Sequence, residues 1–197
     1  MKQLTVIPGL TLTEALYEAA AEGVAAHAPE LGTLSWEQFT APAGWTLVPD
    51  EETGRAYKAE LTLQEHPHLL RRINVWFEAD LRGNAAPRPH SHPWPFTAHV
   101  LLGGYDEDRY VRNRGNIIQG AASHRAGGAN VLHRELFHEV TEIHEPGRTL
   151  TLMVADAPGV RGGWGYLSPD TGAYVAAPPP SAAFLSALRE LNPHRPA

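Results

Sequence analysis

The run Arg88-Pro89-His90-Ser91-His92-Pro93-Trp94-Pro95-Phe96-Thr97-Ala98-His99-Val100-Leu101-Leu102-Gly103-Gly104-Tyr105 sets two histidines two positions apart, then an apolar segment closed by two glycines. In an extended chain, side chains at i and i+2 point the same way. His90 and His92 therefore present two imidazoles on one face, enough to share a metal ion if a third ligand arrives from elsewhere. Val100 to Leu102 reads as a buried strand, and Gly103-Gly104 as the turn that ends it.

Outward from this run the pattern is β-rich. Residues 55–64 and 69–77 alternate as strands, the second carrying Arg71, Arg72 and Asn74 among apolar neighbours. Asp80 to Pro89 reads as a loop, and Asp106-Glu107-Asp108 as an acidic turn. Further strands are expected around Tyr110-Val111, Ile117-Ile118, His138–Ile143 and Thr149–Val154. His124 to Asn130 reads as a Gly-rich turn and Gly159 to Gly163 as a flexible loop. Trp164–Leu167 and Tyr174-Val175 flank a Ser168–Gly172 turn and make a hairpin. Two helices frame the strands. Residues 11–28 have apolar positions every four residues, with Thr11 and Glu14 as a capping box. Ser181 caps a short amphipathic helix bearing Phe184, Leu185, Leu188 and Leu191. Trp36, Phe39, Trp45 and Leu47 are the expected core anchors between the first helix and the strands.

The totals narrow the function. The 197 residues include 17 Pro and 18 Gly, which suits a turn-rich β architecture. A net charge of −6 without blocks of like charge gives no footprint for nucleic acid or a polybasic membrane anchor. No apolar run is long enough for a signal peptide or a bilayer span, so a soluble cytoplasmic protein is expected. The absence of Cys excludes thiol nucleophiles, disulfides, thiolate metal sites and iron–sulfur clusters. Eleven His remain, and imidazole and carboxylate are the strong ligands left for a transition metal.

His-x-His, an apolar strand, a closing Gly and a lone His heading a later strand resemble the cupin superfamily. More narrowly, His-x-His-Pro-Trp, Gly-Gly-Tyr, Arg134–His138, Thr149–Leu152 and Gly163–Tyr166 resemble a group of small cupin-like proteins. The resemblance implies an all-β fold, a cupin-type double-stranded β-helix (jelly-roll barrel) with an N-terminal helix and a short C-terminal helix. It implies one domain over residues 1–197: an N-terminal helical extension over 1–30, the barrel over about 45–177 and the C-terminal helix over 181–192. It also implies one divalent metal held by His90, His92 and His138. The family's Glu slot falls on Phe96 or Thr97, neither a carboxylate. Parity that sends Thr97 inward sends His99 inward too, as the alternative fourth ligand; the opposite parity turns both away. Trp94, Phe96, Tyr105, Arg72 and Asn74 are the candidate substrate-binding residues. His144 is expected to be exposed, and His66, His68, His124 and His133 to be loop or surface residues.

Three-His cupins include thiol dioxygenases, so Fe(II) is the first choice of metal, with Mn, Ni, Cu and Zn also suited to imidazole. The expected function is a non-haem iron oxygenase acting on a small-molecule substrate. A redox-neutral isomerase, lyase or hydrolase and a non-catalytic sensor pocket are the rivals. By analogy with cupins that exchange terminal strands, a homodimer is expected.

Overall fold

The computed structural model describes residues 2–66, 69–81, 87–113, 116–156 and 163–195. Strands β1 (Gln3–Ile7) and β2 (Leu10–Thr13) form an antiparallel hairpin that leads directly into helix α1 (Glu14–His27). The helix starts later than its sequence pattern predicts. Thr11 is committed to β2 opposite Thr5, so Thr13 is the cap and its hydroxyl accepts from Leu16 N–H at 3.3 Å. A one-turn helix, α2 (Trp36–Phe39), carries a capping box between Ser35 and Gln38. Of the four expected core anchors, Phe39, Trp45 and Leu47 are buried, whereas Trp36 is only half-buried.

The strands that follow are β3 (Trp45–Pro49), β4 (Ala56–His66), β5 (Leu69–Trp76), β6 (Phe96–Leu102), β7 (Gly104–Asn113), β8 (Asn116–Arg125), β9 (Ala129–Leu132), β10 (Leu136–Ile143), β11 (Thr149–Ala155), β12 (Gly165–Leu167) and β13 (Tyr174–Ala176). Helix α3 (Ala182–Leu191), capped by Ser181, closes the chain. The acidic run Asp106–Asp108, expected to turn, instead lies within β7, paired to β8 on one side and β10 on the other. His124 likewise belongs to β8, and the chain reverses after it at Ala126–Gly128. The expected loop at Gly159–Gly163 falls mostly outside the described residues, as does the middle of the expected Asp80–Pro89 loop.

One sheet has the order β3-β4-β5-β11-β6-β9 and a second the order β10-β7-β8. The second is extended on the far side of β10 by bridges from Asp80 to Val140 and from His90 to His138. His90 also bridges to Tyr166 and so brings in the β12–β13 hairpin. Followed along the chain, β5 lies in the first sheet, His90 in the second, β6 in the first, β7 and β8 in the second, β9 in the first, β10 in the second and β11 in the first. Two sheets wound together in this way make the double-stranded β-helix of a cupin-type jelly roll. Gly103, at φ +68°, is the corner where β6 leaves one sheet and β7 enters the other; a Cβ there would sit 2.5 Å from Thr149 Oγ1.

The largest apolar core lies outside the barrel. Leu16, Ala20 and Val24 of α1 cluster with Trp45, Leu47, Leu61, Ile73, Leu150 and Leu152 of the first sheet. Between the sheets the buried apolar clusters are smaller: Val100, Tyr105, Val140 and Ile143 in one, Tyr110, Phe137 and Leu167 in the other. Burial outside the barrel thus supplies most of the hydrophobic stabilisation, which leaves the interior free to hold a polar cavity. Among the described residues, no helix is long and apolar enough to cross a membrane.

Candidate metal centre

His90 and His138 face each other across a two-hydrogen-bond backbone pair, His90 N–H to His138 O at 2.9 Å and His138 N–H to His90 O at 3.0 Å. Residues directly opposite on antiparallel strands share a face, so both rings turn into the barrel. Ser91 points the other way, its hydroxyl oxygen accepting from Gly165 N–H at 3.2 Å, and alternation returns His92 to the interior. The three rings pack with centroids 4.8–5.1 Å apart, and one nitrogen from each lies within 4.8 Å of the other two.

The strand register also settles the two residues that sequence parity left open. Phe96 and Ala98 line the cavity, so Thr97 and His99 face outward. Of the two positions onto which the Glu of the resembled motif could fall, Phe96 is the one that faces the cavity, and its ring meets that of His92 edge-on at 4.8 Å. His99 is not beside the three histidines. It stacks on His27 of α1, centroids 3.7 Å apart and planes 9° from parallel, because β6 presents alternate residues to the barrel and to the helix.

Glu107 is a residue at this site that the sequence did not reveal. It is 1% exposed, and its Oε2 accepts from His138 Nδ1 at 2.7 Å. Its Oε1 pairs with His124 Nε2 at 2.9 Å and with the Arg109 guanidinium, and Asn130 Nδ2 donates to both oxygens at 3.1 Å. Burial alone would raise its pKa. The hydrogen bonds from His124 and His138, the charge of His138 and the bond from Arg109 outweigh burial and hold it well below the carboxylate range.

An ionised carboxylate can only accept, so His138 Nδ1 carries a proton, and the tautomer this selects has its Nε2 lone pair facing the cavity. That atom lies 2.9 Å from His92 Nε2. Burial, then the neighbouring His90 and His138, push the His92 pKa well below its ordinary value, so the His92 ring is neutral at physiological pH. Neutral, tautomer-fixed imidazoles are the form that binds a transition metal. Two nitrogens each about 2.1 Å from a shared ion and at right angles to it stand about 3.0 Å apart. The donor set therefore fits a divalent metal.

Every candidate substrate-binding residue (Trp94, Phe96, Tyr105, Arg72 and Asn74) lines the same cavity as the three histidines, a space of about 150 Å³. On the wall formed by the first sheet, Glu60 takes two cations, Lys58 at 3.0 Å and Arg72 at 2.9 Å. Burial opposes the Lys58 charge, but Tyr57, Glu60 and Asp80 more than offset it, and its pKa is raised. Burial would raise that of Glu60, and Lys58 and Arg72 bring it below its usual value. Asn74 Nδ2 and Trp76 Nε1 both donate to Thr151 Oγ1, at 3.3 and 3.0 Å. Arg72 Nε and Asn74 Oδ1, on the same wall, are buried with no hydrogen-bond partner among the described residues. Tyr105 accepts from Asn130 at 2.9 Å, and burial followed by the Glu107 charge raises its pKa, so its phenol stays neutral.

The remaining histidines divide. His66 and His133 are exposed, as expected. His124 is not a loop residue but a partner of Glu107, and His144 is not exposed but bonded to Asp106 at 2.9 Å. His68 lies outside the described residues.

No family model matches the chain, and no curated protein matches it in sequence. Solved structures with some similarity include Fe(II)-HppE with the alternative substrate (S)-1-HPP, at 15% identity and a TM-score of 0.40, covering 58% of this chain and 57% of that one. Recombinant oxalate oxidase in complex with glycolate gives 12% identity and a TM-score of 0.42, covering 56% of each chain. KdgF from Halomonas sp. gives 18% identity and a TM-score of 0.36, covering 54% of this chain and 84% of that one. The matched stretch spans a little over half the length of the first two proteins.

Proposed function

We propose that the protein is a metal-dependent enzyme in which His90, His92 and His138 hold one divalent ion, iron(II) in the first instance, and that it oxygenates a small organic molecule. One observation carries this reading. Glu107 fixes the proton of His138 on Nδ1, which leaves Nε2 free to bind an ion alongside His92 Nε2, 2.9 Å away. Three neutral imidazoles leave coordination positions open, an arrangement suited to catalysis rather than to structural support. Bound there, iron(II) would supply redox chemistry with dioxygen.

The chain's own groups select and orient the substrate. A cavity near 150 Å³ is of the size that admits a benzene-sized molecule, so about six to eight non-hydrogen atoms fit. Phe96, Ala98, Leu132 and Val140 give it an apolar side that excludes water. On the polar side the Arg72 guanidinium, whose Nε has no partner among the described residues, favours an anionic group on the ligand. Arg72 Nε offers that group a donor, and Asn74 Oδ1 offers an acceptor to a neighbouring hydroxyl or amine. A small carboxylic acid bearing a hydrogen-bond donor satisfies both atoms.

The test is dioxygen uptake by protein reconstituted anaerobically with iron(II) and supplied with a panel of such acids. Uptake matched by product formation is the expected result. Turnover under argon with zinc or manganese, and none with iron and dioxygen, would replace oxygenation by redox-neutral chemistry. Ligand binding that survives metal removal, with no turnover under any metal, would make the cavity a sensor pocket.

A further inference from the structure

We infer that Asp80 supplies the carboxylate ligand that position 96 lacks, making the centre three histidines and one aspartate. The inference rests on the three-histidine reading and extends it to a residue outside β6, bridged to β10. Asp80 stands directly opposite Val140 on β10, its N–H bonded to Val140 O at 3.1 Å, while His90 stands opposite His138 on the same strand. Val140 and His138 are two residues apart and so share a face. Asp80, His90 and His138 consequently all project into the barrel.

The carboxylate stands within reach of the His90 ring. Asp80 Oδ2 lies 3.8 Å from His90 Nε2. Two donors about 2.1 Å from a common ion are separated by about 3.0 Å when at right angles and by about 4.2 Å when opposite, and 3.8 Å falls between. Asp80 is 7% exposed and lines the same cavity as the three rings. Its electrostatic role matches its position. Three neutral imidazoles leave the full charge of a divalent ion inside a buried space, and a carboxylate in contact with the ion is the most effective compensation. Phe96 in the Glu slot then does not leave the centre without an acid; the acid comes from the residue bridged to Val140, beside His90 on the same edge of β10.

Cobalt(II) is the probe, because its visible spectrum reports the number and type of ligands while competition against a chelator gives affinity. Full-length wild type, Asp80→Asn and His92→Ala are stripped of metal, checked for folding by circular dichroism, and titrated. Wild type is expected to bind one cobalt(II), and Asp80→Asn to bind at least about 100-fold more weakly with a changed spectrum. Equal affinity and an identical spectrum in Asp80→Asn would overturn the inference. So would weaker binding with an unaltered spectrum, which would assign Asp80 to the surrounding charge alone. Should Asp80→Asn fail to fold, Asp80→Glu carries the test: its longer carboxylate alters the spectrum if the group is a ligand, and an unaltered spectrum overturns the inference. Wild type that binds no cobalt(II), or His92→Ala that binds it as tightly, would instead overturn the three-histidine reading.

Discussion

Glu107 shows how one side chain decides what its neighbours can do. It accepts from His138, His124 and Asn130 and pairs with Arg109 while almost wholly buried, so its removal leaves several polar groups without their acceptor. Glu107→Ala is expected to destabilise the fold by about 3–5 kcal/mol. Glu107→Gln is the subtler change. Its amide can turn a donor toward His138 Nδ1, displace that proton to Nε2 and block the metal-facing lone pair. Metal affinity in the folded variant is expected to fall about 10- to 100-fold, measured by chelator competition. At this scale the sequence was readable where chemistry and spacing coincide: His90 and His92 declare a shared face by standing two apart. Glu107 was not readable. Asp-Glu-Asp has low β propensity and looks like a turn, and the partners that draw it into a strand, His124, Arg109, Asn130 and His138, come from other parts of the sheets. Only its parity with Tyr105, two positions before it, hinted that it points inward. Asp80 was hidden for a related reason, since a single bridge to Val140 rather than a regular strand pattern sets its direction.

Among elements, the contact between α1 and β6 passes through the His27–His99 stack. Burial, then the proximity of His27, lowers the His99 pKa from 6.5. A group whose folded pKa is depressed binds protons more readily when unfolded, so its neutral form supports folding above pH 6.5 and that support is lost as the pH falls below it. Thermal melts should show a fall in Tm from pH 7 to pH 5 that is smaller in His99→Phe, which keeps an aromatic face against α1 without the titration. An equal fall in both proteins would refute this. At the other end of the chain, Asn192 after α3 caps the edge of β3. Its Oδ1 accepts from Leu47 N–H at 2.7 Å and its Nδ2 donates to Leu47 O at 2.8 Å, the pattern a further strand would make. Asn192→Ala strands two buried backbone groups and is expected to cost about 1–3 kcal/mol, read by urea unfolding. Both helices were evident from their periodicity, yet α1 begins at Glu14 rather than Thr11. The preceding four residues pair with β1, a tertiary commitment that local capping signals do not record.

At the scale of the whole molecule, stability and chemistry occupy different layers: α1 and the outer face of the first sheet hold the main apolar core, and the barrel interior holds the polar cavity. Ile73→Ala, in that outer core, is therefore expected to lower unfolding free energy by about 2–5 kcal/mol while leaving metal affinity within about twofold. A loss of both together would show that the layers are coupled. The β-rich class and the wound barrel were legible from the strands and turn signals around His-x-His, together with the family resemblance. The sheet order was not, because β11 lies between β5 and β6 through pairings distant in sequence, and periodicity says nothing about which strand is whose neighbour. Three imidazoles converging on one ion are the core of the proposed chemistry. The most direct measurement is metal content by elemental analysis of wild type and His92→Ala, each loaded with iron(II) anaerobically and then desalted. About one iron per wild-type chain and less than about a tenth of that in folded His92→Ala is the expected result. Equal iron in both proteins, or none in the wild type, would contradict it.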